Sequence, residues 1–178
     1  MPMVERSVKI DVPAETVFAY ISDFSRHPEW ADVPVKIERT SDGPVGQGST
    51  FKSVGHQLGR DFAAEITVTE FVPSEKLAFE AEGDVFHFRH HFLIQREDSG
   101  IRLVKGVERV RIAPPFSLLF PVLQLAGVIT RGLDGDLRRI KAKLEEGAPA
   151  SQPTAPTAQE APTEPEDSPT AVDEEAQE

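Results

Sequence analysis

The chain has 178 residues, no cysteine and a formal net charge of −11 at pH 7. This length suits one domain with a further segment, and the missing cysteine excludes disulfides, thiol catalysis and cysteine-ligated metal. Most of the negative charge lies in residues 147–178, which carry six prolines, eight acidic residues and neither Lys nor Arg. Such a segment buries too little apolar surface to offset its ordering entropy. We therefore expect a folded domain at residues 1–146 and a disordered acidic, Pro-rich tail at residues 147–178.

The folded part is close to neutral. Removing the eight tail carboxylates from the 30 acidic residues leaves 22 against 19 basic ones, which argues against nucleic acid as a partner. The N-terminus MPMVERSVKI has no apolar signal core, and the longest apolar stretch, residues 116–129, is too short to span a bilayer. We expect a cytoplasmic protein without stable membrane insertion. We interpret the tail as a solubilising extension. The alternative is a docking segment for another protein, which no specific motif supports.

In chain order, the apolar pattern predicts one strand, a small helical pair, six further strands and a long final helix. Apolar residues alternate in the first strand and recur at steps of three and four in the helix after Pro13. The sheet is expected to end at Ala113-Pro114-Pro115, and the last helix carries an apolar face from Leu118 to Leu144. The predicted strands are about 5–12, 35–40, 48–57, 62–71, 77–82, 85–96 and 101–112, and the predicted helices about 14–24 and 116–146.

Four segments of this pattern resemble a known superfamily. They are VKIDVPAETVFAYISDFSRHPEW, the turn Gly46-Gln47-Gly48, ITVTEFVPSEKLAFE, and DLRRIKAKLEE at the end of the long helix. Over about residues 3–146 the chain resembles the SRPBCC (START-like) superfamily, and within it the polyketide cyclase/dehydrase-like branch. The resemblance implies an α+β helix-grip fold, in which a seven-stranded antiparallel sheet wraps a long C-terminal helix around a hydrophobic cavity. It implies ligands such as lipids, sterols, quinones or polyketides, without choosing between binding and catalysis.

The predicted hairpin at Asp98-Ser99-Gly100 places two candidate functional residues together. A three-residue loop with Gly in the left-handed position is common, and its register makes every inward cross-strand pair apolar except His90 opposite Glu108. A carboxylate beside an imidazole in an apolar enclosure favours the imidazolium and holds one tautomer. His90 and Glu108 are therefore the candidate catalytic or ligand-anchoring pair, with a purely structural pair as the alternative. The same register sets Arg89 against Arg109, a like-charge pair.

An apolar ligand would contact residues that the predicted fold turns toward its interior. Trp30, the only tryptophan, is either a core lid on the first helix or a wall on which a ligand stacks. The apolar cluster from Phe116 to Leu125 is core, a ligand portal, or a patch that touches a membrane or a partner, and the absence of a Lys/Arg cluster beside it weakens the membrane alternative. The expected ligand contacts are Trp30, Ile66, Val68, Phe86, Phe88, His90, Phe92, Glu108, Leu125 and Ile129.

Metal and cofactor sites are not predicted. On one strand, His90 faces away from His87 and His91, which are themselves about 13 Å apart, too far to share one ion. No P-loop, nucleophile elbow or zinc-protease motif is found in the sequence, so no cofactor is implied.

Three functions remain open at this point. The first is a binding module for an apolar small molecule such as a lipid, a quinone or a polyketide-like compound. The second is a cyclase or dehydratase that moves protons through His90 and Glu108. The third is an interaction module that docks a protein through the cluster from Phe116 to Leu125.

Overall fold

One curved antiparallel sheet wraps around the C-terminal helix, which gives an α+β, helix-grip-like architecture. The computed structural model describes residues 4–33, 35–57, 59–114 and 122–147, and of Gln57, Arg109 and residues 122–126 it describes the backbone alone. Residues 148–178 of the predicted tail lie outside the described residues. The described elements are β1 (Val4–Ile10), α1 (Ala14–Ser22), a 3₁₀ turn (Phe24–Arg26), α2 (His27–Trp30), β2 (Val35–Arg39), β3 (Thr50–Gln57), β4 (Arg60–Val72), β5 (Lys76–Gly83), β6 (Phe86–Arg96), β7 (Ile101–Ile112) and α3 (Val122–Glu146).

Helix α1 ends two residues earlier than the sequence pattern predicts. Its start is as expected, because the Pro13 carbonyl accepts hydrogen bonds from the first free amides of the helix. At its end, Asp23 leaves the helical conformation, with φ −82° and ψ 92°. The Asp23 carboxylate instead accepts a hydrogen bond of 3.0 Å from the Ser25 amide, and this cap starts the 3₁₀ turn. The turn directs Phe24 into the core and leads the chain into α2.

The seven strands that the structure describes lie in the order β1-β7-β6-β5-β4-β3-β2. The β4–β5 ladder is irregular between Val68 and Glu70, and the β6–β7 ladder between His87 and Arg89. Such bulges bend and twist a sheet locally. Helix α3 packs against β1, β7 and α2, so the concave face of the sheet and the helices enclose the interior.

The observed β6–β7 register corrects the predicted pairing of His90 with Glu108. Phe86 lies opposite Ile112, as predicted, but the irregularity beyond His87 shifts the ladder by one residue toward the hairpin. His90 therefore lies opposite Val107, and the prediction of a cross-strand His90–Glu108 pair is wrong. Because a slip of one residue turns every side chain to the other face, Glu108 moves to the outer face of the sheet.

A charge pair on the outer face favours the shifted register. The outer face now sets Arg89 opposite Glu108, so the like-charge pair of the predicted register is replaced by opposite charges. The hairpin loop has four residues, Glu97–Gly100, because Arg96 pairs directly with Ile101. Gly100 has φ +73°, and a Cβ there would lie 2.3 Å from the Ile10 carbonyl oxygen. Glycine is thus required at this turn.

Candidate functional site

A cavity of about 640 Å³ occupies one half of the concave side, between the sheet and α3. Phe62, Phe86 and Phe88 form its aromatic wall. The neighbouring strands β3, β4 and β5 contribute residues too small to fill the space, namely Gly55, Ala64, Ala81 and Gly83. Small-molecule sites typically measure about 300–1,000 Å³ and are mostly apolar, so this cavity has the size and lining of a ligand site.

The predicted ligand contacts divide between the cavity and its surroundings. Phe86, Phe88, His90 and Ile129 line the cavity. Trp30, Ile66, Val68 and Phe92 lie in the packed part of the interior and are at most 4% exposed. The side chain of Leu125 lies outside the described residues, as does the cluster at 116–120. Trp30 is therefore core, with its ring edge-to-face against Phe92 at 5.8 Å between centroids.

A buried ion pair forms one wall of the cavity. Lys105 projects inward from β7 with its side chain 3% exposed, and its ammonium pairs with the carboxylate of Asp136 on α3. The ammonium also lies 4.6 Å from the ring centroid of Trp30 and 5.3 Å from that of Phe92, which adds cation–π attraction. Burial lowers the pKa of Lys105, and the Asp136 carboxylate acts against this lowering. Each charge of the pair thus compensates the other.

The Asp136 carboxylate is held by further donors. Its Oδ1 accepts hydrogen bonds from the Asp32 amide at 2.7 Å and from the Arg139 guanidinium at 3.2 Å. Arg139 in turn donates to Asp32 Oδ1 at 3.0 Å and to the Trp30 carbonyl at 2.8 Å. Two cations and two carboxylates therefore form one network, which fixes the segment after α2 against α3.

Two histidines, His27 on α2 and His90 on β6, line the cavity together with Lys105. Burial lowers the pKa of His27 to about 3, and the Lys105 ammonium adds to the effect. The same causes, in the same order, lower the pKa of His90 well below its ordinary value. Both rings are therefore neutral at pH 7, with one donor and one acceptor nitrogen each. The Nδ1 atom of each ring is buried and has no hydrogen-bond partner in the described part of the chain.

Glu108 lies on the opposite face of the sheet from the cavity. Its carboxylate is 3.3 Å from His91 Nδ1 and 3.9 Å from the Arg89 guanidinium, while His91 Nε2 is 2.9 Å from the Glu5 carboxylate. The His91 ring lies directly over Gly106, where a Cβ would come within 2.2 Å of the ring. Glu108 thus belongs to a row of charges on the outer face and does not line the cavity.

His27, Lys105 and Asp136 are not among the site residues predicted from the sequence. Lys105 faces the interior because of the observed β6–β7 register. The irregularity that sets this register has no signal in the sequence pattern. Asp136 carried a usable signal, because it falls three residues after Leu133 and one before Leu137, within the apolar face of α3. A carboxylate inside an apolar stripe predicts a buried cationic partner.

Comparisons with known proteins agree with this architecture. Residues 1–145 match the family described as polyketide cyclase / dehydrase and lipid transport, whereas no curated protein matches the sequence. A START superfamily protein from Mycobacterium smegmatis is 19% identical, with 81% of this chain and 97% of that chain covered and a TM-score of 0.64. The Zhui aromatase/cyclase from a Streptomyces species is 18% identical, with 82% and 94% covered and a TM-score of 0.65. A protein from Thermus thermophilus is 17% identical, with 83% and 100% covered and a TM-score of 0.67.

Identities this low show a shared fold, and the family match carries the relationship itself. The described helices include none that is long and apolar enough to cross a membrane. The match supports a role in hydrophobic ligand binding or cyclisation without specifying either. It extends over most of the sequence and confirms the resemblance to the polyketide cyclase/dehydrase-like branch, so this chain belongs to the polyketide cyclase / dehydrase and lipid transport family.

Proposed function

We propose that this protein binds an apolar small molecule of the lipid, quinone or polyketide-like class inside the cavity. The observation that supports this proposal is the unfilled volume of about 640 Å³ beside the walls of Phe62, Phe86 and Phe88. Each Å² of apolar ligand surface buried there contributes about 25 cal/mol before the costs of association. His27 and His90 lie where the polar end of such a ligand would find hydrogen-bond partners.

The other two hypotheses have less support. A cyclase that uses His90 and Glu108 together is disfavoured, because Glu108 faces away from the cavity. The protein-docking hypothesis depends on side chains from Phe116 to Leu125, which lie outside the described residues. A cytoplasmic location stays a prediction.

Two glycines of α3 offer a matched test of cavity binding. Gly132 lines the cavity, whereas Gly127 is exposed and is not part of the lining. A Cβ added at either position meets no described atom within 4 Å. Leucine is also favoured over glycine in helices by about 1 kcal/mol. Both Gly132→Leu and Gly127→Leu should therefore fold, and only the first fills the cavity.

The readouts are native mass spectrometry of freshly purified protein and titration with the uncharged apolar dye Nile red. The wild-type protein and Gly127→Leu should carry a co-purified apolar molecule or bind the dye, and Gly132→Leu should bind the dye at least tenfold more weakly. A wild-type protein that binds nothing, or a Gly132→Leu variant that binds as well as Gly127→Leu, would refute the proposal.

A further inference from the structure

The charged side chains at the polar end of the cavity already compensate one another. Lys105 pairs with Asp136, and Arg139 bridges Asp136 and Asp32. Two positive and two negative groups therefore sum to zero, and each is within ion-pair distance of an opposite charge. A charged ligand group that entered beside Lys105 would find no unpaired counter-ion in this network.

Of the described buried side chains that lack a hydrogen-bond partner, the two that line the cavity are uncharged. His27 Nδ1 and His90 Nδ1 are buried and unpaired within the described residues, and both rings line the cavity. A neutral imidazole can donate one hydrogen bond and accept another. A hydroxyl group can satisfy either nitrogen, and a carbonyl oxygen can accept from a protonated one. Buried polar groups are normally satisfied, so these two nitrogens mark where a ligand oxygen belongs.

We propose that the cavity selects ligands whose buried end is an uncharged hydroxyl or carbonyl group, held by His27 and His90, and discriminates against carboxylates of the same shape. This inference rests on the proposed function and names the ligand class for the same site. A carboxylate would set a second anion beside Asp136 against the single ammonium of Lys105. Burying a charge without its own partner is strongly unfavourable, whereas a neutral hydroxyl carries no charge to desolvate and can form a hydrogen bond with an imidazole nitrogen.

One exposed cation could hold an anion elsewhere. Arg60 lines the cavity at an exposed position and makes no ion pair to the described side chains. An amphipathic carboxylate could therefore bind with its charge at the rim beside Arg60. Exposed ion pairs contribute little, so we expect this mode to be weak, and the experiment distinguishes it from binding at the buried end.

Three aromatic compounds of nearly the same shape test the inference: 2-naphthol, 2-naphthoate and naphthalene, titrated into the full chain by calorimetry at pH 7. A phenolic hydroxyl is neutral at this pH and an aromatic carboxyl is ionised. We expect 2-naphthol to bind at least tenfold more tightly than 2-naphthoate. Equal or tighter binding of 2-naphthoate would overturn the inference. If none of the three compounds binds although Nile red does, the inference fails and the proposed function stands; if Nile red does not bind either, both fail.

The variant His90→Phe assigns the polar contact. It keeps the ring that stacks on Phe79 at 5.3 Å between centroids and removes the nitrogens. We expect 2-naphthol to lose about three- to tenfold in affinity, the net effect of one hydrogen bond, while naphthalene binds His90→Phe as well as it binds the wild type. Parallel losses for both compounds would show a purely steric role and overturn the inference. The inference would also be overturned if 2-naphthoate bound the wild type with the affinity of 2-naphthol and lost that binding in Arg60→Gln.

Discussion

The two halves of the concave face are built on the same strands but carry side chains of different size. At one end, β3, β4 and β5 present Phe51, Ile66 and Phe79, all at most 4% exposed. Toward the other end, Gly55, Ala64, Ala81 and Gly83 take the equivalent inward positions and line the cavity. The strands continue through both halves, so the cavity arises from small residues and not from missing secondary structure. One half of the interior therefore supplies stability, and the other supplies capacity for a ligand.

The aromatic contacts follow the same division. In the packed half, the Phe24 ring stacks on Phe51 at 4.2 Å and lies edge-to-face with Phe79 at 5.3 Å. In the hollow half, the rings of Phe86 and Phe88 are 5.6 Å apart along one wall, with the cavity on their open side. Rings enclosed on all sides contribute dispersion and hydrophobic energy that an empty cavity does not provide. We expect substitutions in the two halves to differ accordingly.

The largest effect should come from the ion pair that borders both halves. Asp136→Ala leaves the Lys105 ammonium buried without its carboxylate, and breaking a buried pair in this way costs about 3–5 kcal/mol. Urea unfolding measures the loss. The neighbouring variant Asp134→Ala is the control, because Asp134 is 48% exposed and 3.5 Å from Arg6. Exposed pairs of this kind contribute at most about 1 kcal/mol.

A double variant separates the loss of the pair from damage to the core. Lys105→Met with Asp136→Leu removes both charges and keeps apolar volume, so it should recover most of the stability lost by Asp136→Ala. If Asp136→Ala is no less stable than Asp134→Ala, the ion pair does not support the boundary between the two halves.

The second prediction concerns pH and the polar end of the hollow half. The pKa of His27 is about 3 in the folded chain and 6.5 ordinarily, so the unfolded chain takes up the proton first. Stability is therefore fully present above pH 6.5 and falls as the pH drops through the window from 6.5 to 3. His27 contributes up to about 1.4 kcal/mol per pH unit to the slope, or about 2 kcal/mol between pH 7 and pH 5, and His90, whose pKa burial also lowers, adds to it in the same direction. Urea unfolding at pH 7, 6 and 5 measures it.

The control compares two histidine variants. His27→Gln and His90→Phe each remove one buried imidazole whose pKa is lowered, so each should reduce the pH dependence without abolishing it. Equal slopes for the wild type and His27→Gln would show that the His27 ring is not kept neutral by burial.

The fold was largely predictable from sequence because its signals are local. Alternation gave β7 with its observed bounds, Ile101–Ile112, and the apolar face at steps of three and four gave the end of α3 at Glu146. Seven antiparallel strands around a long helix were expected from the resemblance and are confirmed. These features depend on residues within a few positions of one another, which one sequence displays directly.

The site was less predictable because it depends on a single irregularity and on a distant partner. The predicted register kept charged residues out of the interior, apart from His90 and Glu108. The actual register turns Lys105 inward, which is possible only because Asp136 meets it from α3. Cross-strand patterns contain no information about a helix 31 residues away. The cavity itself was implied by the resemblance. The small residues of β3, β4 and β5 that create it are present in the sequence, but they were not predicted to line it.

The smallest effect should come from adding side-chain volume to the hollow half, with the same change in the packed half as the comparison. Ala14 in α1 is 0% exposed, so Ala14→Leu overpacks a filled region and should cost about 1–3 kcal/mol. Ala81 faces the cavity, so Ala81→Leu should change the free energy of unfolding by less than about 1 kcal/mol, because its methyl groups enter empty space. The Ala81→Leu variant should nevertheless bind Nile red more weakly than the wild type, since it occupies ligand volume. Urea unfolding measures the stability of both variants. Equal losses would mean that the hollow half collapses around its small residues in solution. The two halves of the interior would then not differ in packing.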